Sequence, residues 1–164
     1  MYETGQAVVY ATYGVCIITA IEKRDFSGED VEYYILRPVG DSKNTFYVPT
    51  ANSVLTEKMR KVCSRSEVEE LISVMPEEGS VWIEDEPRRK EEYRKILDSG
   101  DRRELVKLIK TLYLRKQELE SQHKHLHSAD ERTLHDAENI LYDEFAYALD
   151  IPREEVIPYI KAHV

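Results

Sequence analysis

The sequence predicts an α+β protein, a small twisted β-barrel followed by an all-helical domain, on three observations. Up to about residue 60, short β-branched and aromatic runs alternate with turn residues, and no helix-length apolar pattern intervenes. From Ser64 onward, apolar residues recur at helical spacing behind capping serines and aspartates. Between the two patterns, residues 76–103 change character around the only tryptophan, Trp82. The expected domains are therefore 1–60 and 61–164, with the junction region near Trp82.

In the first domain, Gly5 to Tyr10 and Val15 to Ile21 flank a turn ending in Gly14 and read as a hairpin. A turn over 25–30, with Gly28, leads to the strand Val31 to Leu36. A second turn over 40–44 leads to Thr45-Phe46-Tyr47-Val48-Pro49. Four or five short strands at this spacing suggest a small barrel. Its expected core is Val8, Tyr10, Val15, Ile17, Ile35 and Val48.

In the second domain, Ser64 and Glu67 have the spacing of a capping box, and Val68, Leu71, Ile72 and Met75 then repeat until Pro76, so a helix is expected over 65–75. Pro87 is suited to open the next helix, since its first turn needs no amide donor there. That helix carries Tyr93, Ile96 and Leu97 as an apolar stripe and ends at Gly100. Asp101 is the expected cap of a helix burying Leu105, Leu108, Ile109, Leu112 and Leu119, with a basic outer side. Ser128-Ala129-Asp130-Glu131 reads as a further capping box, before Leu134, Ala137, Ile140, Leu141, Phe145, Ala148 and Leu149. A last short helix over 153–163 should turn Val156, Ile157 and Ile160 inward.

Charge and composition narrow the function. The net charge is −9, yet residues 83–127 hold 12 Lys/Arg against 10 Asp/Glu, the only stretch with a positive balance. A free-standing nucleic-acid binder carries a basic excess, because phosphate neutralisation supplies much of its affinity. Any DNA contact by this chain is thus expected to be weak and delivered by another protein. Cys16 and Cys63 lie far apart and fit buried, reduced thiols of a cytoplasmic protein. No apolar run reaches the length of a membrane span. No phosphate-cradling glycine loop, serine elbow or zinc-helix motif occurs, and the adjacent acidic pairs point different ways along their helices, so neither an enzyme nor a cofactor is expected. His123, His125 and His127 alternate as in an extended segment, and a solvated loop with no metal explains them.

The junction carries the sharpest chemistry. Trp82 is followed by the acidic Glu84-Asp85-Glu86, Pro87, and the densest basic run, Arg88-Arg89-Lys90 with Arg94 and Lys95. One reading makes Trp82 an aromatic plug between subdomains. The other makes it an apolar wedge beside a cationic helix, as in proteins that pry open a base step from the minor groove. Residue chemistry leaves both open.

The order of elements resembles the CarD/CdnL family of bacterial transcription regulators. The resemblance runs through Gly5 to Tyr10, Tyr13-Gly14-Val15, Ile21 to Arg24, Glu32 to Leu36 and Phe46 to Pro49. It continues through Trp82, the basic segment, Ser99-Gly100-Asp101, Leu112, Arg115, Ser128 to Arg132, Ile140-Leu141 and Glu144. It implies a Tudor- or SH3-like domain that docks on the RNA polymerase β subunit, and a helical domain that touches promoter DNA at the upstream edge of the opening bubble. Arg24, Tyr47 and Pro49 would then meet polymerase, with Tyr47 departing from the arginine common at its position. Trp82 would be the wedge, and Arg88, Arg89, Lys90 and Arg94 the phosphate contacts. The chain is expected to work as a monomer, with no membrane partner. An interaction module without DNA contact is the alternative.

Overall fold

Ala7–Tyr10 (β1), Val15–Asp25 (β2), Asp30–Pro38 (β3), Phe46–Pro49 (β4) and Met59–Lys61 (β5) form one antiparallel sheet in the order β4-β3-β2-β1-β5 in the computed structural model, which describes residues 1–40, 43–77 and 79–163. A four-residue helix, Ser53–Thr56 (α1), capped by the Asn52 side chain, precedes β5. Of the turn expected over 40–44, Asp41 and Ser42 lie outside the described residues.

The sheet curls toward a barrel. Tyr10 on β1 and Phe46 on β4 are three strand spacings apart, about 14 Å in a flat sheet, yet their ring centroids are 5.5 Å apart. Tyr2 ties β3 to β5: its ring meets Tyr34 edge-on at 5.8 Å, and its hydroxyl donates to the Met59 carbonyl at 3.0 Å. Inside the curl lie Val8, Tyr10, Cys16, Ile18, Tyr34, Leu36, Val48 and Met59. Ile17, expected in this core, is only half-buried, because Cys16 and Ile18 take the inward positions. The run Val15 to Ile21 is apolar on both faces, so its phase was not readable from pattern. Strand β5 is short and half charged, and its register, Val8 opposite Lys61 and Tyr10 opposite Met59, is set by β1.

The chain divides into two units, 1–62 and the residues from Cys63 onward. The second is helical: Arg65–Val74 (α2), Glu86–Ser99 (α3), Arg102–Ser121 (α4), Ser128–Leu149 (α5) and Val156–His163 (α6). Ser64 and Glu67 make the full capping box of α2, and Asp101 accepts from the Arg103 and Glu104 amides at the start of α4. Helix α3 ends on Gly100 at φ 65°, the left-handed conformation that glycine adopts without Cβ strain. Asp85 caps α3, which places Pro87 one residue inside the start.

Two expectations change. Helix α5 begins at Ser128 behind His127, with no side-chain cap, because Asp130 and Glu131 are engaged elsewhere, by Arg89 and Lys116. In α6, Val156 is fully buried while Ile157 is 44% exposed. The helical core is built on Tyr93, Leu105, Leu108, Leu112, Ile140, Leu141 and Phe145. At its edge the Glu144 carboxylate, fully buried, accepts from Arg102 Nε at 2.7 Å and from the Cys63 amide at 3.1 Å. A buried charge is tolerable only with such partners.

Candidate functional site

The residues singled out in the amino-terminal unit share one face of the sheet. Pairing sets Glu22 opposite Tyr33, Arg24 opposite Val31, Tyr33 opposite Pro49 and Ile35 opposite Tyr47. With period-two alternation, Arg24, Tyr33, Tyr47 and Pro49 all leave the side opposite the core residues Tyr34, Leu36 and Val48. A bulge at Thr19 decides this. Register runs Ile18 to Leu36, then Ala20 to Ile35, so one extra residue reverses the phase of β2, and its Oγ1 donates to the Ile35 carbonyl at 3.2 Å. Ahead of the bulge Cys16 and Ile18 point inward. Beyond it Ile21 points inward and Arg24 outward.

Sequence reasoning missed two members of this face. Phe26, 61% exposed, leaves the β2–β3 turn to meet Tyr47 edge-on at 5.1 Å and Tyr33 at 5.3 Å. The signal was an aromatic immediately before Ser27-Gly28, a place where no core is near. Beside the rings, the Arg24 guanidinium is held by Glu22 at 2.7 and 3.1 Å.

In the helical unit, Trp82 is half-buried against the core. Its strand-like neighbourhood is fixed by two bonds: Thr111 Oγ1 accepts from the Val81 amide at 3.0 Å, and the Tyr93 hydroxyl donates to the Val81 carbonyl at 3.0 Å. The indole N–H donates to Glu84 Oε1 at 3.0 Å. Two guanidinium carbons stand over the ring, Arg89 at 4.5 Å and Arg115 at 4.9 Å from its centroid. Arg115 reaches Glu118 through Nη1 at 3.1 Å, while its buried Nε has no acceptor among the described residues, as expected of a nitrogen turned to a ring.

The basic run divides. Arg88, Lys90 and Arg94 are exposed. Lys90 pairs with Glu86 at 3.2 Å, and that hydrogen bond and charge hold the Glu86 carboxyl below the ordinary carboxylate range. Arg88 and Arg94 form no ion pair among the described residues. Arg89 is the correction: it is 4% exposed, and its Nε and Nη2 grip both Asp130 oxygens at 3.0 Å while Nη1 donates to the Ile83 and Glu84 carbonyls. A guanidinium so engaged carries the tryptophan's platform and has no donor turned to a phosphate.

Next to the indole lies a groove of about 310 Å³, walled by Trp82, Glu84, Arg115, Leu119, His125 and His127. The histidine run thus separates: His123, at φ 58°, turns the chain after α4, and the other two face this groove.

Comparison with known proteins places both units. Residues 2–63 match the family described as CarD-like/TRCF RID domain, and residues 70–161 match that described as CarD, C-terminal domain. The chain belongs to the CarD family. A protein of Bacillus subtilis (strain 168) named "Putative transcription factor YdeB" is 23% identical over 156 residues, covering 95% of this chain and 97% of that one. The CarD family is one of transcription regulators, so the work of this chain lies in regulation of transcription. Its aromatic face belongs to the RID domain, and Trp82 with α3 to the CarD carboxy-terminal domain. No helix among the described residues is long and apolar enough to cross a membrane.

Proposed function

We propose that this protein docks as a monomer on the β subunit of RNA polymerase through the outer face of its amino-terminal sheet, and steadies the opened promoter through Trp82. The RID match supports the dock, with Arg24, Tyr47 and Pro49 at its centre and Phe26 and Tyr33 completing the patch. The observation that carries the DNA contact is the pose of Trp82. Its half-buried ring rests on a buried Arg89–Asp130 pair, on the same element as the exposed cations Arg88, Lys90 and Arg94. Those cations meet phosphates and carry no base-reading amide beside them, so the contact is independent of sequence. With a net charge of −9 it is also weak until polymerase supplies proximity.

A wedge offsets the unstacking of a base step, which costs a few kcal/mol, by apolar contact made only in opened DNA. Trp82→Ala is therefore expected to bind polymerase normally and shorten the lifetime of the promoter open complex. Because the ring is only half-buried, its loss should cost about 1–2 kcal/mol of stability, less than the roughly 3–5 kcal/mol of a buried plug. Normal open-complex lifetime with a collapse in thermal stability would return Trp82 to the role of plug, and the protein to that of an interaction module.

A further inference from the structure

We propose that the groove beside Trp82 is a nucleobase site, which takes an unstacked base bearing an exocyclic amine. The inference rests on the wedge reading for its setting, since prying a base step apart leaves a base without its stacking partner. At about 310 Å³ the groove sits at the small end of ligand pockets, the room of one aromatic heterocycle. Its walls offer what recognises such a ring. Trp82 and the planar Arg115 guanidinium provide stacking surface, and Leu119 and Leu126 provide apolar walls. Glu84 provides an acceptor. One of its carboxylate oxygens holds the indole N–H at 3.0 Å, and the other has no partner among the described residues.

The carboxylate sets the specificity. An ionised carboxylate accepts hydrogen bonds and donates none. It therefore suits the amino groups of adenine, cytosine and guanine, and repels the carbonyl oxygens of thymine, the one DNA base without an exocyclic amine. The acidic Glu84, an odd neighbour for a DNA-contacting tryptophan, becomes the reader of the base edge. His125 and His127, which no other role claims, form the opposite wall.

Trp82 is the only tryptophan, so its emission reports on this groove alone. The full-length protein is titrated with dAMP, dCMP, dTMP and deoxyribose 5-phosphate at fixed ionic strength. Saturable quenching by dAMP and dCMP is expected, with half-saturation at least about fivefold below that of dTMP, and no quenching by the sugar phosphate. Glu84→Ala should erase the preference, while Glu91→Ala, an exposed change elsewhere on α3, should keep it. Superimposable dAMP and dTMP curves, unsaturable quenching, or a preference that survives in Glu84→Ala would each overturn the site. The wedge is judged separately by open-complex lifetime in Trp82→Ala. A base preference with an unchanged lifetime supports the groove and rejects the wedge, and a shortened lifetime with no preference does the reverse.

Discussion

Arg88, Lys90 and Arg94 differ from Arg89 in the side of α3 from which they leave. Arg89 stands four residues before Tyr93, on the stripe that continues through Ile96 and Leu97, so helical spacing turns it inward with the core residues. That signal was present in the sequence and was outweighed by the density of the run. The consequence is measurable. Replacing Arg88, Lys90 and Arg94 together by alanine should weaken polymerase-dependent promoter binding and lower the slope of its logarithm against salt by about 1 per lost phosphate contact. An unchanged slope would remove these side chains from the DNA.

At the scale of elements, two devices hold the functional surfaces. The first is the Arg89–Asp130 pair that ties α3 to the start of α5 beneath the indole. Removing one partner of such a buried pair leaves an uncompensated charge, so Asp130→Ala should cost about 3–5 kcal/mol in denaturant unfolding. It should also shift the Trp82 emission, because the ring loses the cation it rests on. The second device is the bulge at Thr19. Deleting Thr19 would restore regular alternation along β2 and send Arg24 to the core side and Ile21 to the solvent side. The variant should bind polymerase poorly whatever fold it retains. A pull-down at wild-type strength would show that the outer face does not depend on this register.

At the scale of the whole molecule, the stability of both units should fall in alkali. Burial pushes the Cys16 thiol up from 9.0 to about 11 and the Cys63 thiol to about 12. It likewise pushes the Tyr93 and Tyr142 hydroxyls up from 10.0 to about 12. The unfolded chain releases these protons first. Stability held by the protonated forms is thus complete below about pH 9 and is lost as pH rises toward 12. Urea midpoints should stay level from pH 7 to about 9 in this respect and then decline. A midpoint that holds to pH 11 would mean that the four groups titrate in the fold as they do in the open chain. The two thiols should also be unreactive in native protein at pH 8, since the thiolate is the nucleophile.

What the sequence determined by itself is local. The capping box at Ser64, the Asp101 cap, the left-handed stop at Gly100 and the alternation of β1 and β3 depend on a few neighbouring residues, and each forms where spacing placed it. The order of those elements was also enough to reveal the family. The tertiary structure decided everything that depends on a distant partner or on a one-residue phase. Helix α5 begins without its expected capping box because Asp130 serves Arg89, 41 residues away in the chain. Ile17 leaves the core because a run apolar on both faces carries no phase of its own, and β5 exists because β1 offers it an edge. Arg24, Phe26, Tyr33 and Tyr47 become one surface through strand register and a bulge, which no local pattern encodes. Trp82 is neither a sealed plug nor a bare ring, because its burial is set by two guanidinium groups and a carboxylate that only folding brings to it.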